Sequence, residues 1–395
     1  MIAGIEPIHR FEFSGERKDG LEQIERVMKG DRAVFFTLSY DFGQKLQSVK
    51  AAFDPVEPDI YVAEFDAVVV HDYDSRETFL TGNDRQFAHI EQILREKRFE
   101  PQEITAEPDL SSGFSRDEYI TAVEAIREYI RNGYTYQTNL TQKLSVRFEN
   151  EISPASVFHR LRQDHPAPFA ALIQRQNSTV VSASPERFFR VAERTIRASP
   201  IKGTRPRGRN EQEDAFLREE LLQSEKDRAE NTMIVDLLRN DLGRVCEFAS
   251  VKVEKLCDIE EHPTIFHLVS TISGHLRPDA SISDILISLF PCGSITGAPK
   301  ISTMKIIDQI EPSPRGLSMG TIGYRVPEVG FEGLIPGIDT SVAIRTMVIH
   351  GDRAEFNVGG GIVIDSEPSA EYEESLLKAK ALLNALGGGE WSGRD

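Results

Sequence analysis

The sequence predicts a fold of mixed strands and helices. Three observations carry this. Short strand-like runs follow one another, and Phe188 to Ala192 and Thr195 to Ser199 read as a hairpin around Glu193-Arg194. Helices with one apolar face lie between such runs. The glycine stretches lack the spacing of a dinucleotide fingerprint or a phosphate loop, which excludes an NAD site.

Composition sets the outer bounds. The chain has 395 residues, 39% hydrophobic and 28% charged, which is ordinary for a soluble globular protein of one large domain or two. A net charge of −17 argues against nucleic acid, yet a local basic site can still take an anionic small molecule. Cys246, Cys257 and Cys292 are odd in number and lack metal-ligand spacing, so a reduced, cytoplasmic setting is expected. No run is apolar enough to cross a bilayer, and the first residues do not read as a signal peptide.

Residues 1–110 read as an N-terminal α/β portion packed on the core. Its strands are Ala33 to Tyr40, Ile60 to Ala63 and Phe65 to Val70, and its helix is Gln86 to Lys97. The polar stretch 100–114, with Pro101, Pro108 and Gly113, marks the boundary to a second portion, 111–386. There Ser115 to Glu118 is a capping box, followed by Ile120, Val123, Ile126 and Ile130 on one helical face. Tyr134 to Phe148 reads as a strand carrying Gln137 and Asn139. A helix near 154–163 and strands at 169–174 and 179–184 lead to Glu186, an acid or base candidate whose bland alternative is a surface carboxylate paired with Arg187.

The pivotal stretch is Ser199-Pro200-Ile201-Lys202-Gly203-Thr204-Arg205, where Pro200 and Gly203 bend the chain around a lysine. Such a lysine becomes a nucleophile when its surroundings desolvate it; the alternative is a solvated basic turn. An acidic helix is expected from about Gln212 to Leu238, with Asp227 and Glu230 on one face. Glu371 and Glu374 repeat the spacing near the C-terminus, with Lys378 four residues further. Carboxylates from two helices suit a hard divalent cation; two solvated faces are the alternative.

Gly293 to Lys300 lacks the Gly-Lys-Ser/Thr ending of a phosphate loop, and Pro299 there opens a helix to about Gln309. Gly359-Gly360-Gly361 follows a strand at 354–357 and lets backbone N–H groups approach an anion. Arg345 lies in an expected strand, Ser341 to Thr346, where a buried guanidinium calls for a carboxylate. His267 in its apolar run suits a core position. The glycine-rich tail, 387–395, is expected to be flexible.

Together these stretches resemble the chorismate-utilising enzymes, a family that includes anthranilate, aminodeoxychorismate, isochorismate and salicylate synthases. The resemblance covers about residues 114–386. It rests on Ser184 to Phe188, Glu225 to Leu237, His262-Pro263-Thr264, Gly293 to Lys300, Ala343 to Thr346 and Gly359 to Val363. Within the family, Pro200-Ile201-Lys202-Gly203-Thr204 looks like the aminodeoxychorismate synthases, where anthranilate synthases are expected to read Pro-Ile-Ala-Gly-Thr. Gln137 stands where the isochorismate and salicylate synthases are expected to carry a water-activating lysine. The Leu-Leu-Glu-Ser motif of tryptophan-regulated anthranilate synthases is not found.

The resemblance implies an α+β fold, a large sandwich of two mostly antiparallel sheets flanked by helices. It implies Mg²⁺ on Glu230 and Glu374, with Asp227 and Glu371 in or near the shell. One carboxylate of chorismate would meet that ion and the other Arg345, Tyr324 and the backbone around Gly360 and Gly361. Lys202 would attack the ring, with Glu186 as general acid. Thr204, His267, Thr296, Lys378 and Gln137 would line the substrate. Ammonia would come from a glutamine amidotransferase (glutaminase) subunit, and the product would serve 4-aminobenzoate and folate biosynthesis. The alternatives are anthranilate synthase, isochorismate synthase and a non-catalytic metabolite binder.

Overall fold

A computed structural model describes residues 1–104, 109–263 and 265–387. The expected flexible tail beyond 387, Thr264 of the His-Pro-Thr motif and part of the 100–114 boundary lie outside the described residues. Two antiparallel sheets dominate. The larger has ten strands, in the order 201–206, 265–275, 195–199, 187–192, 337–342, 321–326, 33–38, 60–65 and 9–13, with 252–261 also paired to 265–275. The smaller has seven, in the order 297–298, 137–147, 353–362, 346–350, 179–184 and 169–174, with 109–112 also paired to 137–147. Strands 9–13, 33–38 and 60–65 thus belong to the larger sheet, whereas Ile2–Ala3 joins Ala67–His71 and Thr78–Gly82 in a separate three-stranded sheet.

Alternation along the strands explains the layering. Val34, Phe36 and Leu38 join the core beneath helices Arg17–Met28 and Glu225–Gly243, whereas Ala33 and Phe35 face the other way. Between the sheets, Val180 and Val348 of the smaller pack on Ile322 of the larger and on Ala343. Helices Pro154–Asp164 and Pro368–Ala385 cover the outer face of the smaller sheet. The hairpin closes as expected, with Glu193 and Arg194 at φ of 47° and 61°. Ser115 and Glu118 form the capping box.

Four local expectations are corrected. The acidic helix is two helices, Glu211–Gln223 and Glu225–Gly243, because Ser224 is extended and its hydroxyl accepts the Asp227 N–H. The run 65–70 breaks at Asp66 into strands Ile60–Phe65 and Ala67–His71, which join different sheets. The stretch 341–346 is not one strand. Strand Gly337–Val342 ends in the larger sheet, the chain crosses over through 343–345, and Thr346–His350 begins in the smaller. The three glycines lie inside strand Arg353–Ile362 rather than after it, because strand Gln137–Arg147 passes so close that a Cβ on Gly359 would collide with the Leu140 carbonyl.

Gly359→Ala is therefore expected to lower unfolding free energy by more than about 3 kcal/mol in a denaturant titration. Gly243→Ala, in a helix terminus with no atom within 4 Å of the added methyl, should instead raise it by about 0.5–1 kcal/mol.

Candidate active site

The site forms where the chain passes between the sheets. Strand Thr179–Ser184 of the smaller sheet leads through Pro185 and Glu186 into Arg187–Ala192 of the larger. Beside it runs the crossover carrying Arg345. The two are tied by Val342 N–H to Glu186 O (3.1 Å), Ala183 N–H to Arg345 O (3.0 Å) and Ser184 Oγ–H to Val342 O (2.6 Å). Glu186 and Arg345 are fixed by backbone bonds before their side chains do anything.

Glu186 is buried, and Arg187 is not its partner. Arg187 makes a bidentate pair with Asp339 at 2.9 and 3.2 Å. The Glu186 carboxylate accepts from Ser294 Oγ at 2.8 Å. Burial pushes its pKa up to about 7, against the Ser294 hydrogen bond, the Lys202 charge and the Ile201 backbone. A proton is therefore available on this carboxyl near neutrality.

Lys202 lies in strand Ile201–Pro206, half-buried, and its Nζ donates to the Ser294 carbonyl at 3.3 Å. The sequence placed it on a bend; it lies on a bulge. The register slips between Ile201 and Thr204, with Gly203 at φ +87°. A Cβ on Gly203 would meet Asp227 and Leu221, each at 2.9 Å. Ser294 thus touches both chemical groups, and no sequence pattern singled it out from the Gly293–Lys300 stretch.

Thr204 stands opposite His267 on the neighbouring strand. Burial pushes the His267 imidazole down to about 4, helped by the charges of His262 and Arg345, so it is neutral at pH 7. Its Nδ1 has no partner among the described residues. Arg345 has φ +47°, and its guanidinium makes no hydrogen bond or ion pair with the described residues. Burial alone lowers its pKa. A largely desolvated guanidinium without a counter-ion is prepared for an anion.

The glycine strand forms another wall. Residues 353–362 pair with 138–147 along one edge, but on the other only 353–355 pair, with 348–350. The outer edge of Gly359 to Gly361 therefore has no strand neighbour among the described residues. A Cβ on Gly360 would lie 3.3 Å from Glu371, 3.4 Å from Lys378 and 3.9 Å from Glu374. Gln137 packs against Gly361, and its buried Oε1 has no partner among the described residues.

Among the described residues no closed group of three metal-binding side chains exists. The four carboxylates nonetheless approach one another. Burial raises the Glu230 pKa, with Asp227 and Glu371 adding to the rise against Lys202 and Lys226. Burial and Glu374 likewise raise Glu371, against its bond to Ser366. Burial works to raise Glu374 too, but Lys378 at 2.7 Å, with Lys226 and Lys202, holds it below its ordinary value. Asp227 pairs with Arg205 at 3.2 Å. Lys378 also donates to the Gly359 carbonyl at 3.0 Å.

Two further expected site residues have other neighbours. The Tyr324 ring packs on Phe35 at 6.2 Å, with Asp339, Arg190 and Arg187 as the charges around it. The Thr296 hydroxyl donates to the Cys292 and Gly293 carbonyls, at 2.9 and 3.3 Å, and so closes its own turn.

The chorismate binding enzyme family matches residues 6–384. The chain belongs to the chorismate binding enzymes. The enzyme is 39% identical to aminodeoxychorismate synthase component 1 of Escherichia coli over 351 residues, 88% of this chain and 75% of that one. It is 35% identical to an anthranilate synthase component 1 of Haloarcula marismortui over 396 aligned residues, 92% and 78% of the two chains. The crystal structure of anthranilate synthase component I from Streptococcus pneumoniae superposes with a TM-score of 0.84 at 25% identity, covering 97% of this chain and 91% of that one. The sandwich of antiparallel sheets flanked by helices is the same.

Gly360→Ala should leave the fold intact, because the flexible tips of Glu371, Lys378 and Glu374 can yield by a few tenths of an ångström. It should weaken chorismate binding about tenfold, since those tips and the glycine edge lose their spacing. Equilibrium binding and thermal melting of the same preparation check both halves.

Proposed function

We propose that the enzyme aminates chorismate at C4, giving 4-amino-4-deoxychorismate, through a covalent bond to Lys202. The observation that carries this is the single residue Ser294 holding both Lys202 Nζ and the Glu186 carboxylate. A nucleophile and an acid held on one turn suit a displacement in which one bond forms as another breaks at a different carbon.

In this reading the unprotonated Lys202 amine attacks ring C2, and a C–N bond forms. The ring double bonds shift, the C4–O bond breaks, and Glu186 protonates the departing hydroxyl, which leaves as water. Ammonia then attacks C4, the double bonds shift back, and the C2–N bond breaks to free Lys202. The proton lost by the new amine returns to Glu186. Arg345 takes one carboxylate of the substrate, with the free edge at Gly360 beside it. Neutral His267 and Thr204 border the ring without adding charge.

The acidic cluster suits magnesium. Its donors are all oxygen, they come from two helices, and a cation would offset the burial and, after it, the mutual repulsion that raise Glu230 and Glu371. Glu230 and Glu374 would hold the ion, with Asp227 and Glu371 beside them, and it would supply Lewis-acid pull on the second carboxylate. Its ligands must first be released from Lys378 and Arg205. The relative's name, component 1, supports a partner component, which we assign as a glutaminase that feeds ammonia. The product would enter 4-aminobenzoate and folate synthesis.

Lys202→Ala should lower the rate of 4-amino-4-deoxychorismate formation from chorismate, Mg²⁺ and ammonia at least about 100-fold. Formation at the parent rate would rule out covalent catalysis. Anthranilate fluorescence without an added lyase would support the anthranilate synthase reading that the Haloarcula relative offers. At fixed free ammonia, kcat should fall as pH rises through about 7, where Glu186 loses its proton. Glu186→Gln should abolish that limb along with most of the rate.

A further inference from the structure

A buried ion pair outside this constellation reaches two of its walls. Arg315 and Glu311 are both almost fully buried and bond bidentately, at 2.8 and 2.6 Å. The guanidinium lies 4.5 Å over the Tyr40 ring. Its remaining donors go to two carbonyls: Ile295 O at 2.9 Å and Asn139 O at 2.6 Å. Glu311 in turn accepts from Thr141 N–H and Oγ–H, at 2.7 and 2.9 Å.

The two carbonyls belong to informative neighbours. Ile295 follows Ser294, which holds Lys202 and Glu186. Asn139 pairs with Gly361 and Thr141 with Gly359. A buried pair of this kind adds little net stability over an apolar pair of the same volume, but its planar fork fixes direction. Here the fork fixes the distance between the Ser294 turn and the glycine wall.

We propose that Arg315 is a positioning residue for the amination, which sets the Ser294 turn so that Lys202 and Glu186 meet the substrate held against the glycine edge. This rests on the roles proposed above for those two residues. Lysine in place of Arg315 keeps the charge but loses the fork, so the Ser294 hydroxyl drifts from the Glu186 carboxylate. Around that carboxyl are Ser294, Cys292, Lys202 and the Ile201 backbone. Removing the Ser294 bond disfavours its ionised form, and the Glu186 limb of the pH profile moves to higher pH.

The experiment measures steady-state kinetics of Arg315→Lys across pH, with chorismate and fixed free ammonia. The expected result is a kcat lowered about 10- to 100-fold, a KM for chorismate within about twofold of the parent, and the upward-shifted limb. A folded variant with parental kcat, or one with kcat lowered but the limb unmoved, overturns the proposal. Should Arg315→Lys not fold, Thr141→Val decides. It removes one hydroxyl from Glu311, and it should move the limb in the same direction with a smaller loss of kcat. An unmoved limb there overturns the proposal equally. Lys202→Ala measured alongside separates the two ideas. Parental activity in that variant sinks the covalent mechanism, whereas an inactive Lys202→Ala with an unaffected Arg315→Lys sinks only the positioning role.

Discussion

The bonds that lock two sheet-to-sheet crossovers side by side govern the rest of the molecule. Val342 to Glu186, Ala183 to Arg345 and Ser184 to Val342 are contacts of backbone or of a short hydroxyl. They leave little freedom in where the two side chains start. A second pair, Met319 N–H to Ala343 O and Ala343 N–H to Gly320 O, both at 2.9 Å, anchors the same crossover to the start of strand Thr321–Val326. The positive φ of Arg345 is held by this surrounding lattice, as strained backbone at a functional position generally is.

The electrostatics follow from that geometry. One carboxyl, Glu186, is desolvated, and burial lifts its pKa to about 7, so it can keep a proton near neutrality. Three others, Glu230, Glu371 and Glu374, share a face with lysines that temper their mutual repulsion. His267 is held neutral and Arg345 is left without a counter-ion. The Lys202 charge acts on Glu186, Glu230 and Glu374 alike.

Much of this was legible in the sequence, for reasons that can be named. Ser115 with Glu118, the Glu193-Arg194 turn and the helix after Pro299 are local signals, and local signals survive into the fold. The motif resemblance drew attention to Lys202, Glu186, Arg345 and the four acidic residues; taken singly, the Lys202 stretch reads as readily as a basic turn and the acidic pairs as solvated faces. What could not be seen was which sheet a strand joins. The alternation through 341–346 is compatible with one strand, and only the tertiary structure splits it. The glycines looked like a loop because their cause, the close passage of Leu140, lies more than 200 positions away in the chain. Ser294 was hidden because serine is common in turns.

The bulge at Gly203 sets the parity of its strand. Side chains along a strand alternate between faces, so one extra residue reverses the facing of all that follow. Between Ile201 and Thr204 the chain spends three steps where its partner spends two. Lys202 and Thr204 keep their facings only while that surplus persists. Exchange of the side chain at 202 leaves the count intact, so chemistry at this position can diverge among related proteins without disturbing the sheet. Loss or gain of a single residue here would turn the segment inside out.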